Sequence, residues 1–419
     1  MVEAKFKITD IGLIPEDWHI STVKEIVNQI SDVDHYMPKS EKAGIPYIMT
    51  GDLMDLVSKI NFSACKKISV DDYQKLSRKV KNSKGDIILA RYATVGLVSF
   101  VNIDFDFVVS YSCVTIKPNS NKIFGKYLYH YFKSHIFKSE VQNKVNSNIQ
   151  DNVGIGDLLK LQIQIPPISE QQAIAEVLSD TDAWIESLEK LIAKKRLVKQ
   201  GAMQQFLTPK EDWLVKKLGD LGNTIGGLSG KTKKDFGKGN SYYIPFMNIM
   251  KNVIIDTNYL DLVDIKSGEY QNKILKNDIL FNGSSETPDE LGISSVLLKN
   301  IDNLYLNSFS FGYRVSENSN VNPLFLSYLM RSTYGRKIIY YLAQGATRYN
   351  LSKANFLKLE IAFPKSIKEQ ERIANILSDM DTEIENLEKK LNKTKQLKQG
   401  MMQQLLTGKI RLTNKKQTS

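Results

Sequence analysis

The chain contains one long segment twice. Residues 170–208 (EQQAIAEVLSDTDAWIESLEKLIAKKRLVKQGAMQQFLT) and 369–407 (EQERIANILSDMDTEIENLEKKLNKTKQLKQGMMQQLLT) align without a gap at an offset of 199, with 22 of 39 positions identical. A repeat of this length and identity is an internal duplication, and it constrains everything else in the chain. Shorter echoes precede each copy. Glu16-Asp17-Trp18 is matched by Glu211-Asp212-Trp213, Ile45-Pro46-Tyr47 by Ile244-Pro245-Phe246, and Gly85-Asp86-Ile87 by Asn277-Asp278-Ile279. The order is variable region, repeat, variable region, repeat.

Each repeat has the pattern of a long helix. Ile174, Leu178, Thr181, Ile185, Leu188 and Ile192 follow a 4-3-4-3-4 spacing, and Ile373, Leu377, Met380, Ile384, Leu387 and Leu391 repeat it. This is the a/d seam of a coiled coil, sustained for about three heptads. An amphipathic helix must bury such a seam, and the near-identical seam of the other copy is the expected partner. Antiparallel pairing is expected to put the two variable regions at opposite ends. Ser169 with Gln172, and Ser366 with Glu369, fit the capping-box pattern at the starts. Pro209 and Gly408 stand where the helices should stop. Thirty-nine helical residues span roughly 58 Å. Gly201 and Gly400, each in Lys-Gln-Gly, interrupt the heptads. Glycine costs a helix about 1 kcal/mol relative to alanine, so its repetition points to close packing or contact with another subunit.

The variable regions, 19–168 and 214–366, share a plan but little sequence. Leu161–Ile165 and Leu357–Ile361 alternate strictly between apolar and polar residues, which predicts a strand feeding each long helix. Val108–Ile116 and Ser294–Leu298 also read as strands, and Phe124–Lys133 and Pro323–Arg331 as matching short helices. The fold class expected is α+β: two mixed α/β domains separated by two long antiparallel coiled-coil helices, with a pseudo-two-fold internal repeat. The boundaries expected are 1–168, 169–208, 209–366 and 367–419.

Charge suggests what the variable regions bind. Fifty-seven Lys and Arg against 46 Asp and Glu give a net charge of +11 and a pI near 9.2, which suits a polyanionic partner, nucleic acid above all. No stretch is long and apolar enough to span a membrane, and the N-terminus lacks an apolar leader, so a cytoplasmic location is expected. Two cysteines, Cys65 and Cys113, are too few for a disulfide framework or a cysteine-rich zinc site and read as buried thiols. Polar, basic and aromatic residues cluster at repeated points. In the first region Arg78, Lys79, Lys81 and Lys84 lead into Arg91 and Tyr92, and a later loop carries Gln150 and Asn152. In the second, Lys231, Lys233, Lys234 and Lys238 precede Asn282-Gly283-Ser284-Ser285, and the later loop carries Thr347, Arg348 and Asn350. Arg, Asn and Gln have the donor geometry that reads guanine and adenine edges, whereas Lys and Ser more often hold the backbone.

No catalytic or metal site emerges from the sequence. Gly226–Thr232 ends like a phosphate-binding loop, but Ile225 stands where that motif needs its first Gly. Asn322-Pro323-Leu324 lacks the second Pro and the aromatic of an amino-methyltransferase motif. His130 and His135 are five apart rather than the four that would put two zinc ligands on one helix face, and His19 and His35 stand alone. Pro288-Asp289 is followed by no Glu-x-Lys of a nuclease, and Gly154-x-Gly156 is too short for a dinucleotide loop. A non-catalytic binding subunit is therefore favoured. The alternatives are a structural adaptor, or a single-chain nuclease or methyltransferase with an unrecognised active site.

The whole plan resembles the specificity subunit of type I restriction-modification systems. The residues that carry the likeness are Pro166-Pro167-x-Ser-Glu170-Gln171, Ile174-Ala175, Leu178-Ser179-x-x-Asp182, Leu188, Lys199-Gln200-Gly201 and Met203-Gln204-Gln205-x-Leu207-Thr208, with their second copies. Ile11–Trp18 looks like the family's lead-in to a target-recognition domain, and Thr347-Arg348-x-Asn350-Leu351-Ser352 like its exit loop. The first half has Ile149-Gln150-Asp151-Asn152-Val153 there and departs from that pattern by lacking the Arg. The resemblance implies that each target-recognition domain reads one half of a bipartite asymmetric double-stranded DNA site from the major groove. The helix pair would set the spacer and dock two methyltransferase subunits, and restriction subunits would join the full complex. S-adenosylmethionine, ATP and Mg would sit on those partner subunits, with no cofactor on this chain.

Overall fold

The structure is a computed structural model that describes residues 5–92, 95–145, 152–343, 345 and 348–413, the side chains of 142–145 excepted. The repeated segments form single long helices, Ile168–Leu207 and Ile367–Leu405. The compact units do not treat these helices as separate domains. One unit comprises Met1–Glu189 with Lys390–Ser419, and the other Lys190–Lys389, so each contains part of both helices.

The seam explains this division. In the first unit Ile174, Ala175 and Leu178 join one core with Tyr127, Leu128 and Ile163 of the variable region, and Leu405 and Leu406 from the end of the second long helix complete it. In the second unit Ile373, Ala374 and Leu377 do the same with Phe325, Leu329 and Ile361, completed by Leu207. The first two seam positions of each helix thus bury against a globular region as well as a helix. Farther along, Leu188, Ile192 and Ile384 are buried while Ile185, Leu387 and Leu391 are half-buried. Within each unit the helix segments run antiparallel. Asp182 pairs with Lys398 and Glu189 with Lys395 in the first unit. Lys199 pairs with Asp381, Lys195 with Glu383 and Arg196 with Glu388 in the second.

The helix starts differ from the predicted caps. Ser366 precedes the second helix and its Oγ accepts from the Glu369 N–H at 3.4 Å, as expected. Ser169, however, lies inside the first turn, because that helix already begins at Ile168, and Pro167 stands where Ser366 does. Gly408 ends the second helix with φ +67°, a conformation that favours glycine.

Each variable region is built on the same two sheets. In the first, Val27–Ser31, Cys113–Pro118, Ile87–Ala90 and Val98–Phe100 form a four-stranded antiparallel sheet. In the second, Gly222–Gly226, Ser310–Val315, Ile279–Asn282 and Ser294–Val296 keep that order. A three-stranded sheet accompanies each: Lys66–Ile68, Ile45–Ile48 and Val108–Val109, and then Asp261–Val263, Phe236–Ile244 and Leu304–Leu306. The strand predicted over Val108–Ile116 is really two, interrupted at Ser110–Ser112, where the chain passes from one sheet to the other. The strand predicted from Leu357 starts at Glu360, because Lys353–Leu357 forms a short helix.

Strand register aligns the two units residue by residue. Gly85 and Asn277 both turn with positive φ (96° and 73°). The following buried carboxylates, Asp86 and Asp278, pair with Lys117 and Arg314 at 2.6 and 2.7 Å. By contrast, Ile45-Pro46 and Ile244-Pro245 are not equivalent. It is Ile48 whose carbonyl accepts from Ser110 and Ile244 whose carbonyl accepts from Asn307, at 2.8 and 3.3 Å.

The motifs near the repeats serve as internal ties. Buried Gln171 accepts from the Phe124 N–H and donates to the Pro166 carbonyl. Gln370 accepts from the Asn322 N–H and donates to the Pro364 carbonyl. Each glutamine thus fastens its long helix to the start of the short helix, Gly125–Lys133 or Pro323–Arg331. Those short helices also meet the Asp–Lys pairs. The Tyr328 hydroxyl donates to Asp381 at 2.7 Å. In the matching place, the Nε2 of buried His130 lies 3.0 Å from the Ser179 hydroxyl. Burial, reinforced by Lys398 and Lys133, pushes His130 down to about 3 from its ordinary 6.5. A histidine neutral in the folded state favours unfolding wherever only the unfolded chain is protonated, so stability falls as pH drops from 6.5 toward 3. Relative to H130N, the parent chain should lose on the order of 1.4 kcal/mol per pH unit below 6.5. Chemical denaturation across this range measures it, and a difference that does not change with pH would contradict the assignment.

Candidate nucleic-acid interface

Loops beyond one end of the four-stranded sheets hold several of the predicted contact residues. In the second unit Ser284–Ser285 pairs with Tyr349–Asn350 as a short two-stranded ladder. In the first unit Tyr92 bridges Asn152 in the same way. The fold therefore brings together, in each unit, two predicted segments far apart in sequence. Gln150 and Thr347 lie outside the described residues.

In the second unit these segments wall a cleft of about 690 Å³. Gly226 and Gly227 line it with Gly283 and Ser284, and Ser308-Phe309-Ser310 and Arg348, Asn350 and Lys353 complete the rim. Glycine is required at 227, where a Cβ would stand 2.2 Å from the Asn307 carbonyl oxygen. Gly227 of the rejected phosphate loop thus allows two backbones to approach. The Arg348 guanidinium lies over the Phe309 ring at 5.7 Å, and Phe309 is itself 56% exposed. Sequence reading missed Phe309, Lys353 and Asn272; the one available signal was an aromatic set between two serines in a strand-to-strand loop.

Other predicted residues are structural. Arg91 is 6% exposed, and its Nη2 donates to Asp32 at 2.6 Å. Its guanidinium covers the half-buried Tyr92 ring at 5.2 Å. Burial works against the Asp32 charge, but Lys79 and Arg91 outweigh it and hold the carboxyl below its ordinary range. The Lys231 side chain is only 5% exposed, donating to Glu269 at 2.5 Å and to the Asp264 carbonyl at 2.6 Å. Hydrogen bonds from Lys231 first, then Gln271, take the Glu269 carboxyl down to about 2. Asn282 is wholly buried: its amide donates to the Glu290 carbonyl and its oxygen accepts from the Ile293 N–H. Ser285 is buried, and its Oγ accepts from the Thr287 N–H. These four side chains face inward because charge or amide partners from the same domain neutralise them there. Lys81, Lys84 and Lys233 remain on the surface. Lys81 pairs with Asp106 at 3.0 Å and Lys84 with Asp104 at 3.9 Å, contacts that solvent weakens.

The register places Asp32 where Gly226 stands in the second unit, and Arg91 where Gly283 stands. An ion pair fills in one unit the place that glycines leave open in the other. Among the described residues no group of three or more His, Cys, Asp or Glu side chains is placed to hold a metal ion, and no helix is long and apolar enough to cross a membrane.

Comparison with known proteins agrees with this duplicated plan. The family model for the type I restriction modification DNA specificity domain matches residues 15–195 and again 210–396. The chain belongs to this family. A Methanocaldococcus jannaschii chain assigned as the specificity subunit of the type I restriction enzyme MjaX is 28% identical over 444 residues, covering 98% of this chain and 97% of that one. The EcoKI specificity subunit of Escherichia coli is 22% identical over 91% of this chain and 86% of its own length. The crystal structure of a type I system S subunit from M. genitalium superposes with a TM-score of 0.58 at 17% identity, over 96% of this chain and 98% of that one. As a family member with two recognition domains, the chain is a DNA-recognising, non-catalytic subunit.

The two arginines should separate cleanly on substitution. Arg91→Ala removes the buried partner of Asp32, leaving it the half-exposed Lys79 and the exposed His35, and should cost about 3 kcal/mol of stability. Arg348→Ala, on the cleft rim, should shift stability by less than about 0.5 kcal/mol. Denaturant melts of the two variants decide this, and equal losses would contradict the burial assignment.

Proposed function

We propose that this subunit reads a bipartite, asymmetric duplex DNA target, one half per recognition domain, from the major groove. The observation that carries the reading is the repeated pairing of two loop segments beyond the same sheet edge, Tyr92 with Asn152 and Ser284 with Asn350. The frame is shared and the side chains differ, which is what two different half-sites require. The net charge of +11 supports a polyanionic ligand.

The helices supply the other two tasks. Both run unbroken through the division between the compact units, so their length sets the spacer between the half-sites. Gly201 and Gly400 are exposed, and a Cβ on either would meet nothing within 4 Å in this chain. Close packing within the chain, one of the two sequence expectations, therefore does not explain them. Exposed Val198 and Leu397 stand one turn before these glycines. This repeated apolar stripe fits two copies of one partner, the methyltransferase subunit, with restriction subunits joining the full complex. S-adenosylmethionine, ATP and Mg²⁺ reside on those partners, and the assembly works in the cytoplasm, where its DNA lies.

A mobility-shift titration with the methyltransferase subunit present tests the reading. Specific binding should persist at salt concentrations that abolish binding to random DNA, and equal loss on both DNAs would sink it. Insertion of about four residues in a central helix adds roughly 6 Å. Methylation mapping should then show a longer spacer between unchanged half-sites; altered half-sites would contradict the ruler role.

A further inference from the structure

We propose that Phe309 and Arg348 form one stacked reading element in the second recognition domain, and that its half-site contains a guanine read by Arg348. The proposal rests on the DNA-reading function above and assigns the chemistry of one of its two sites.

Three observations carry it. First, the loop that presents Phe309 is held firmly. Its N–H donates to the Asn307 side chain at 3.0 Å, its carbonyl accepts from the Gly283 N–H at 2.9 Å, and the Asn307 amide donates to the Ile244 carbonyl. The Phe309 side chain is 56% exposed on this fixed backbone and lines the cleft beside Arg348. Second, Arg348 has no carboxylate partner among the described ion pairs, and its guanidinium carbon lies over the Phe309 ring, 5.7 Å from the centroid. In the first unit the cleft's place is taken by Arg91, which is turned inward by Asp32 at 2.6 Å. The second unit has Gly226 in place of that aspartate. Gly283 holds the place of Arg91 there, and Arg348, from the later loop, reaches the rim of this open cleft with no carboxylate beside it among the described ion pairs. Third, the rim beside the guanidinium carries neutral polar groups, Ser284, Ser308 and Asn350, with Lys353 the second cation.

A guanidinium held over an aromatic ring keeps its two-pronged edge free for the paired O6 and N7 acceptors of guanine. The exposed edge of Phe309 is left to pack on the neighbouring base, where a thymine methyl gives apolar contact. Phe309 acts on the guanine through Arg348 and on the next base directly. No corresponding element forms in the first unit from Arg91, so the two half-sites are read by different chemistry.

The test is methylation-motif mapping of a host expressing the complete complex with the parent subunit or with F309A, F309L, F309Y, R348A, R348K or K276A. R348A and F309A should make one half-site degenerate at a guanine, with roughly 10–100-fold less discrimination there, while the other half-site and the spacer stay unchanged. R348K keeps the charge but not the two-pronged geometry and should behave as R348A. F309Y should restore the motif and F309L should not, because leucine fills space without supporting a guanidinium plane. K276A, an exposed lysine at the other end of the strand Ile279–Asn282, should keep the full motif. Melting temperatures equal to the parent's show that lost discrimination does not come from unfolding. An unchanged motif in both R348A and F309A overturns the reading element and leaves the recognition function standing. A parent complex that methylates without sequence preference overturns both.

Discussion

Everything in this molecule depends on where two long apolar seams are buried. A helix of about forty residues presents more apolar surface than one small domain can cover. The chain meets the need by sharing. The start of each helix enters the core of the region that precedes it, and the last turns of the other helix close the same core. The Asp182–Lys398 and Asp381–Lys199 pairs then lock each crossing at the edge of that core. Because the two partners of each pair come from different copies of the repeat, the duplicated sequence is explained by reciprocity: each copy supplies an aspartate to one unit and a lysine to the other.

The sequence made the frame legible and left the site largely hidden, for physical reasons. A seam at fixed spacing is a local pattern, and so is a gapless repeat, so both helices and their ends could be placed within two residues. Pairing depends instead on residues far apart. Arg91 and Arg348 look alike in the sequence, and what separates them is that Arg91 folds against Asp32, 59 residues before it, while Arg348 stands in a later loop over Phe309. Lys231 likewise reads as a free cation until the chain brings Glu269 beside it. Leu357–Ile361 alternates as a strand should, yet its first residue closes a one-turn helix whose N-cap, Ser352, accepts from the Asn355 N–H. Local periodicity cannot see that competitor. The Lys-Gln-Gly motif was read as one feature, but the structure separates it: its lysine is an internal tie, while its glycine faces outward.

The contrast between the two clefts shows how a duplicated frame can change its ligand at low cost. The sheets, the carboxylate ties at Asp86 and Asp278, and the glutamine staples are kept. The differences are concentrated in loops whose backbone is held by those kept elements. An inward ion pair in one unit and paired glycines in the other alter the shape and charge of the surface without disturbing the core beneath. This separation of support from surface allows a recognition domain to diverge while both copies still fit common partners.

The exchange of helix ends also sets an order of assembly during synthesis. Domains ordinarily fold as they emerge, the earlier before the later. Here the second unit is one contiguous stretch, residues 190–389, whereas the first unit draws on residues from 390 onward. Its last fastening comes from Arg411, which grips Asp17 and the buried Glu170, and from Gly408, seated against Pro15 and Trp18. The half of the protein translated first is therefore finished last. Until the ribosome reaches the final helix, the seam around Ile174 and Leu178 lacks Leu405 and Leu406. A nascent chain stalled near its end would carry a finished second domain and an open first one, a form that chaperones and proteases would meet at its N-terminal half.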